Sequence, residues 1–537
     1  MTTVKSSEPL EISGGLLTRN WVFNLLGWGV PLSVALVTIP YVVHGLGAER
    51  FGILSVASAL LGYFGIYDFG LGRATTKFVA ESLALGESDT LPKVVWTSLW
   101  CAVMFGILGT LITLGLTPIM VDRFLKISPG LITETKTSLF VLSTALPIVL
   151  AGNALRGVLE AGQMFGAVNY VKVPTTSSMF LLPVAGVFFH LTLPGIMWLL
   201  VGARTVATLA YLGSCLKVFP TLRGHYLPTR GRIRPLLAYG GWITASNFTV
   251  PLLTYIDRFL IGSLVSMGAV GYYSAPYEAI NRAWVVPGTL AATLFPAFTN
   301  LHANGSKARL EELCARSLKS LLLISAPALL LVALFAKQLL RWWLGTEFAN
   351  QSTTTLQILA LGMLITSIGL IPSSLLQGVG RPDLTGIFSL LELLFQTGSC
   401  WLLIKHFGMS GAALAWTLRA ILDALLTFGA VFWLRSVSFN GLFQNGMQRT
   451  LLAVSALGVS LALVFQANVP FAVQLPAAVI LVVAFAFFSW TRILDSRDRN
   501  LLVVTVAQVR FAFARGNSRR LDRGPRHAGS GYGSNHG

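Results

Sequence analysis

Three arginines lie deep inside long apolar stretches, where a charged side chain is costly unless it is paired or hydrated. Arg204 lies about eight residues into one stretch, roughly 12 Å deep in a helix. Arg419 lies at nearly the same depth in another stretch, and Arg282 falls near the middle of a third. Arginine stays charged at any relevant pH, and its planar fork suits phosphate groups. One interpretation is a cationic, water-filled central cavity that binds an anion.

The alternative is that these arginines form structural ion pairs. Glu278 and Arg282 are four residues apart, as are Arg419 and Asp423, so each pair can be satisfied on its own helix. Arg204 has no acidic residue three or four positions away. Both interpretations remain open for Arg282 and Arg419, whereas the anion site is favoured for Arg204.

Further charged residues are candidates for coupling or gating, and Glu278 and Asp423 belong to this group too. Asp68 and Arg73 flank a glycine-rich helix end, which fits either a local salt bridge or a gating and entry role. Glu392 is a lone acid inside an apolar stretch. It is either a coupling site for a proton or sodium ion, or a partner for one of the arginines.

Two neighbouring charged pairs have simpler interpretations. Asp257 and Arg258 fall near the predicted end of a span, which favours an anchor at the membrane interface. Arg156 and Glu160 are four residues apart near another span end, which favours a pair that fixes topology.

A series of about fourteen apolar stretches positions these residues. The length of each stretch is close to the ~20 residues that an α-helix needs to cross a bilayer. Of the 537 residues, 54% are hydrophobic and 11% charged. The predicted fold is an all-α polytopic membrane protein with about 14 transmembrane helices. Its parts are a leader at 1–20, a six-helix bundle at 21–216, a basic connector at 217–236, a second six-helix bundle at 237–436, two extra helices at 437–490 and a basic, partly disordered tail at 491–537.

The distribution of positive charge predicts the topology. When connectors are assigned alternately to two sides, most of the 39 lysines and arginines fall on the side of the N-terminus. Cationic loops remain cytoplasmic during insertion, so both termini are expected in the cytoplasm. The net charge of +18 therefore reports membrane orientation, and a nucleic-acid partner is not expected.

The two halves of this series of apolar stretches form an internal repeat. Three glycine-centred matches recur at nearly one spacing: Gly52 with Gly271, Gly157 with Gly378, and Gly195 with Gly411. Six crossings return a chain to its starting side, so the two halves would form a parallel repeat with a substrate path between them.

Signatures of an enzyme are missing from the sequence. No P-loop lysine motif is present, no histidines or cysteines stand at metal-ligand spacing, and the longest predicted external connector is only about 20 residues. We therefore expect no catalytic residues, metal or cofactor. Coupling to a proton or sodium gradient is compatible with the sequence.

Four segments carry a family resemblance, at residues 46–81, 155–170, 255–274 and 375–386, among them LRGVLEAGQMFGAVNY and LLQGVGRPDLTG. They resemble the O-antigen-type flippases, or bacterial polysaccharide transporters, of the multidrug/oligosaccharidyl-lipid/polysaccharide (MOP) superfamily. The resemblance implies two six-helix bundles around a cavity that opens alternately to either side. It also implies transfer of an undecaprenyl-diphosphate-linked oligosaccharide to the external leaflet of the bacterial inner membrane, for O-antigen, capsule or exopolysaccharide synthesis.

The same resemblance implies that inward cationic residues bind the diphosphate, and Arg204, Arg282 and Arg419 fit that role by their depth and charge. The polysaccharide polymerase machinery is an expected partner. A lipid II flippase and a multidrug or cation antiporter of the same superfamily are the alternatives, and a membrane-bound polymerase, ligase or transferase is a more distant one. Arginines at mid-depth would repel a cationic drug, which disfavours the antiporter.

Overall fold

The apolar runs of the sequence form long α-helices. The computed structural model describes residues 14–63, 71–85, 90–162, 164–224, 227–229, 231, 233–236, 249–443, 446–467 and 470–495. Residues 30–485 form one unit, and the described residues 14–29 and 486–495 belong to another. Backbone groups cannot bond to water inside a bilayer, so helices that satisfy their own hydrogen bonds are the stable outcome for such runs.

The helices before the connector are α1 (Gly14–Tyr63), α2 (Leu71–Ala84), α3 (Thr90–Ile119), α4 (Ile132–Ser143), α5 (Ala145–Ala161), α6 (Phe165–Phe188) and α7 (Leu193–Val218). We call residues 30–218 the N-terminal half. The C-terminal half, residues 249–433, contains α8 (Thr249–Leu264), α9 (Met267–Asn281), α10 (Val285–Ala303), α11 (Lys307–Leu334), α12 (Ala336–Leu344), α13 (Thr346–Gly378) and α14 (Pro382–Trp433). Three helices follow: α15 (Phe439–Phe443), α16 (Met447–Gln466) and α17 (Phe471–Phe488).

By length and composition, nine helical segments within the described ranges could cross a membrane. Several predicted span ends differ from the observed helix ends. The span predicted at 139–155 lies in two consecutive helices, α4 and α5, and the one predicted at 321–339 lies in α11 and the start of α12. Hydropathy locates the apolar core of a helix, whereas polar turns can extend it well beyond that core.

Two of the longest helices contain a sharp break at a glycine. Gly47 has a φ of +79° within α1, and Gly408 has a φ of +58° within α14. Positive φ is readily adopted only by glycine, so each position can end one helical segment and start the next. The span predicted at 22–43 and residues 51–63 of the span predicted at 51–69 lie in the two segments of α1. The spans predicted at 384–404 and 412–434 correspond to the two segments of α14.

A short 3-10 turn, Arg282–Trp284, separates α9 from α10. Pro287 explains it, because proline has no N–H to donate to the carbonyl of Ala283 and its ring crowds that carbonyl. Local 3-10 geometry inside a long helix often marks a functional site. Here it places Arg282 at the break.

The two halves are joined near Gly47. The backbone N–H of Lys126 donates to the carbonyl of Gly262 (2.8 Å), and the N–H of Met267 donates to the carbonyl of Lys126 (3.2 Å). The Nζ of Lys126 donates to the carbonyl of Leu264 (2.6 Å), and Nε1 of Trp343 donates to the carbonyl of Leu36 (2.7 Å). We call this set the carbonyl latch, and the end of the bundle where it lies the latch end.

Two glycines allow the helices to approach closely at the latch end. A Cβ on Gly52 would lie 2.0 Å from the carbonyl oxygen of Met267, and one on Gly271 would lie 2.1 Å from that of Ala48. These are the glycines that the sequence matched as repeat equivalents. A single cluster of buried apolar side chains, including Val42, Leu142, Val270 and Leu359, crosses from one half to the other.

Glu134 holds three helices of the N-terminal half together. Its carboxylate accepts hydrogen bonds from Arg50 on α1 (3.0 Å) and from the backbone N–H of Leu193 at the start of α7 (2.9 Å). An acid at a helix N-terminus satisfies a free N–H and interacts favourably with the helix dipole.

We therefore expect Glu134→Ala to lower the free energy of unfolding by about 1–3 kcal/mol, because two donors lose their acceptor. Thermal unfolding of the purified protein measures this. Asp122→Ala is the matched control. Asp122 pairs with Lys136 and is more exposed than Glu134, so its loss should change stability by at most ~1 kcal/mol. Equal effects of the two substitutions would contradict the role assigned to Glu134.

Candidate functional site

A cavity of about 280 Å³ lies between the two halves, and we call it the arginine cavity. Helices α1, α6 and α7 line one side, and α8, α9 and the 3-10 turn line the other. Its polar lining includes Ser55, Arg204, Arg258, Glu278 and Arg282, and its apolar lining includes Ile39, Leu54 and Phe180. Side chains from both halves therefore line the cavity.

One glutamate connects two of the arginines in this cavity. Glu278 accepts a hydrogen bond from Arg258 through one carboxylate oxygen (2.8 Å) and from Arg282 through the other (3.1 Å). The Nε–H groups of both arginines are buried and have no hydrogen-bond partner among the described residues. A buried donor that is left unpaired costs about 1–3 kcal/mol, so the protein contacts of these two arginines do not satisfy all of their donors.

Aromatic side chains and a buried acid fix Arg258. Its guanidinium lies over the rings of Tyr255 (5.2 Å) and Tyr277 (5.0 Å) at cation–π distance. Asp257 accepts from the backbone N–H of Arg258 (2.7 Å) and from the hydroxyl of Tyr273, which stacks on Tyr277. The side chain of Arg258 is therefore held in place before any ligand binds.

Arg204 reaches the same cavity from α7 on the opposite half. Its Nη2 donates to the thioether of Met179 (2.9 Å), a weak acceptor. No carboxylate of the described residues lies within ion-pair distance of its guanidinium. The cavity thus holds three arginines and one glutamate, a formal charge of +2.

A second, larger cavity of about 750 Å³ lies on the other face of α9, and we call it the tryptophan cavity. Its lining includes Tyr277, Trp284, Trp416, Arg419 and Asp423. Its rim includes the exposed residues Arg73, Gln377 and Pro382. Gln377 and Pro382 flank the turn between α13 and α14, whereas Trp343 of the latch immediately precedes the opposite end of α13. We call this the open end of the bundle.

Arg419 is paired inside the tryptophan cavity. Its Nη1 donates to Glu392 (3.0 Å), which lies on the other segment of α14. Asp423 also lies beside Glu392, so the two carboxyl groups and Arg419 form one charged cluster. Spacing had suggested Asp423 as the partner of Arg419. The neighbouring helical segment supplies the closer acid instead.

The structure therefore divides the predicted cationic site. Arg204 and Arg282 share the arginine cavity, with Glu278 as the partner of Arg282. Arg419 lies in the tryptophan cavity, so the prediction of one cavity for all three is wrong. Arg73 lies at the open end, and Asp68 lies outside the described residues. The pair Arg156–Glu160 is confirmed at 3.3 Å.

Arg258 is the site residue that the sequence interpretation missed. It was expected with Asp257 at the membrane interface, but both are buried, with exposed fractions of 2% and 0%. The helix continues for six residues after Arg258, which places the side chain about 9 Å from its end. The signal available in the sequence was Glu278. If Arg282 were its only partner, one of its carboxylate oxygens would have no donor, which indicates a second cation nearby.

The long apolar helices, the two halves and the charged cavity between them define a polytopic membrane transporter. Comparison with known proteins makes this specific. Residues 17–302 match the family model described as "Polysaccharide biosynthesis protein", and residues 243–402 match the MatE model. The first match covers more than half of the chain, which therefore belongs to the polysaccharide biosynthesis protein family within the MOP superfamily.

Relatives and solved structures agree with this membership. The chain is 28% identical over 413 residues to a putative O-antigen transporter of Shigella flexneri, covering 76% of this chain and 96% of that protein. Its fold is similar to the lipid II flippase MurJ in an inward closed conformation, with a TM-score of 0.68, 12% identity and coverage of 88% and 99%. A multidrug resistance MATE transporter in an inward-facing conformation gives a TM-score of 0.63, 15% identity and coverage of 78% and 97%. At these identities the two structures support the fold.

Proposed function

We propose that this protein is a flippase for undecaprenyl-diphosphate-linked oligosaccharides. It would move them from the cytoplasmic to the external leaflet of the bacterial inner membrane during synthesis of a surface polysaccharide. The chain belongs to a polysaccharide biosynthesis family, and the relative from Shigella flexneri is named as a putative O-antigen transporter. The polysaccharide polymerase machinery is the partner that would receive the product.

The arginine cavity is the observation that carries this proposal. Moving a diphosphate through hydrocarbon is prohibitive without compensating cations. Arg204, Arg258 and Arg282 provide a charge of +2 after Glu278 is counted, and they come from both halves. A diphosphate held there would link the halves, while the polyprenyl chain stays in the lipid between them.

We further propose fourteen crossings arranged as two six-helix bundles in parallel repeat, followed by α16 and α17. The positive charge of the connectors supports cytoplasmic termini. With that orientation, the latch end faces outward and the open end faces the cytoplasm, where the cargo is made. Rocking of one half against the other would then open the latch and close the cytoplasmic rim.

Transport requires no covalent chemistry, so we infer that the protein is not an enzyme. A proton or sodium gradient would supply the driving force. The candidate coupling groups are the carboxyl groups of Glu392 and Asp423, which form a cluster with Arg419. Their location in a cavity that is open at one end supports this part of the proposal.

The proposal predicts a specific loss of transport in Arg204→Ala. Proteoliposomes containing the purified protein and a fluorescent lipid-diphosphate saccharide measure flipping, with and without an imposed gradient. Removing charge-assisted hydrogen bonds worth about 1.5–3 kcal/mol should slow transport by roughly ten-fold or more. Arg204→Lys, which keeps the charge but loses the fork, should lie between.

Arg341→Ala, an exposed arginine on α12, is the matched control and should transport like the unmodified protein. Unchanged transport by correctly inserted Arg204→Ala would refute the assigned role. Preference for lipid II as the cargo would support the lipid II flippase instead. Efflux of cationic dyes would support an antiporter, although a cavity of charge +2 opposes that cargo.

A further inference from the structure

The lining of the tryptophan cavity differs in chemistry from that of the arginine cavity. Three aromatic side chains, Tyr277, Trp284 and Trp416, contribute to its wall. Amide and hydroxyl groups accompany them: Asn281, Gln377, Thr254, Thr366, Ser373, Thr385 and Ser389. Flat apolar surfaces beside many small donors and acceptors suit a ligand that has both apolar faces and a polar edge.

Three glycines shape this wall. A Cβ on Gly288 would lie 2.5 Å from the indole of Trp284, and a Cβ on Gly362 would lie 2.7 Å from the indole of Trp416. A Cβ on Gly369, which lies two turns after Gly362, would be 3.0 Å from the carboxylate of Asp423. The backbone therefore makes room for the two indoles and the acid that line the cavity.

The charges of the tryptophan cavity cancel. Arg73 and Arg419 are matched by Glu392 and Asp423 in its lining, whereas the arginine cavity has a formal charge of +2. An anionic group is therefore favoured in the arginine cavity. The tryptophan cavity has no net charge, so it accommodates an uncharged group as well as the arginine cavity accommodates an anionic one.

The two cavities share the end of α9. Tyr277 and Asn281 face the tryptophan cavity, whereas Glu278 and Arg282, the next residue in each case, face the arginine cavity. Helix α8 does the same with Thr254 and Tyr255. Two groups that are covalently joined in one ligand could therefore bind on adjacent faces of the same helices.

We infer that the tryptophan cavity binds the sugars nearest the diphosphate, and that it selects neutral or N-acetylated sugars over acidic ones. This inference rests on the proposed flippase function. The C–H face of a pyranose packs against indole and phenol rings, and its hydroxyls bond to the amides, hydroxyls and carboxylates around them. A volume of about 750 Å³ lies within the ~300–1,000 Å³ typical of sites for small molecules.

Binding to the purified full-length protein in nanodiscs tests this inference with three probes. They are undecaprenyl diphosphate without sugar, the same lipid carrying N-acetylglucosamine, and the same lipid carrying glucuronic acid. We expect N-acetylglucosamine to tighten binding about ten-fold over the bare diphosphate, and glucuronic acid to tighten it less.

Trp284→Ala should remove the gain from N-acetylglucosamine and leave the affinity for the bare diphosphate unchanged. Trp284→Phe, which keeps an aromatic face, should retain part of the gain. Trp433→Ala, which removes a tryptophan with an exposed fraction of 72% on α14, is the matched control and should behave like the unmodified protein. Asp423→Asn should raise the affinity for the glucuronic acid probe, because a negative charge is removed.

The outcomes separate the two proposals. Binding of the bare diphosphate with no gain from either sugar would overturn the sugar site and leave the flippase proposal intact. Tighter binding of glucuronic acid than of N-acetylglucosamine would overturn the stated selectivity. An equal loss of all three probes in Trp284→Ala would also overturn the sugar site. Failure of the unmodified protein to bind any diphosphate probe better than undecaprenol would contradict the proposed function itself.

Discussion

Arg258→Ala is expected to abolish transport and to destabilise the protein. The substitution removes a buried cation from the arginine cavity and leaves Glu278 with Arg282 as its remaining partner in the described structure. Breaking a buried ion pair typically costs about 3–5 kcal/mol. Flipping in proteoliposomes and thermal unfolding in detergent measure the two effects.

A second variant separates folding from transport. In Arg258→Ala/Glu278→Gln the Glu278 carboxylate no longer lacks its second partner, so part of the lost stability should return. Transport should remain lost, because the fixed guanidinium that faces the ligand is still missing. Recovery of transport together with stability would mean that Arg258 supports the fold alone. Arg258→Lys tests the need for a planar fork against the need for charge alone.

Gly52→Val is expected to lock the transporter out of its latched state. The first side-chain carbon would lie 2.0 Å from the carbonyl oxygen of Met267 and 3.0 Å from the nitrogen of Gly271. These are backbone atoms that cannot rotate away, so the halves must separate at the latch end. Because a full cycle requires closure at each end, transport should fall to background.

A thiol reporter measures the same state directly. Ser55→Cys places a thiol in the lining of the arginine cavity, near the latch end. An impermeant reagent added on the external side should label it slowly in the parent and rapidly when Gly52→Val is also present. Gly115→Val is the matched control, since nothing lies within 4 Å of a Cβ there. Normal transport with a protected reporter in Gly52→Val would contradict the packing argument.

The helical fold follows from the sequence because the bilayer restricts the choice of backbone structure. Apolar runs near the required length predict crossing helices, and Gly47 and Gly408 could be anticipated as turns between them. Helix ends were less predictable. The span predicted at 139–155 lies within a longer helical segment, Pro129–Ala161, because polar turns extend the helix beyond its apolar run.

The site was predicted only in part because depth and spacing describe one helix at a time. They identified Arg204 and Arg282, and they paired Arg282 with Glu278 correctly. They offered Glu392 as a partner for one of the arginines but could not show that this arginine is Arg419. Nor could they show that Arg258 would share Glu278 with Arg282. The tryptophan cavity draws on five helices, so no periodicity along the chain marks it.

The carbonyl latch bears on how this transporter can evolve and how fast it can work. All four of its hydrogen bonds end on main-chain oxygens, which every residue possesses. Apart from a change to proline, only substitution of Lys126 or Trp343 removes a side-chain donor. At about 0.5–1.5 kcal/mol per bond, breaking the set costs roughly 2–6 kcal/mol, an amount that thermal motion overcomes within a turnover. Sequences can therefore change around the carbonyl latch, and cargo preference can change in the cavities, while the energetic bias of the proposed rocking step is largely preserved.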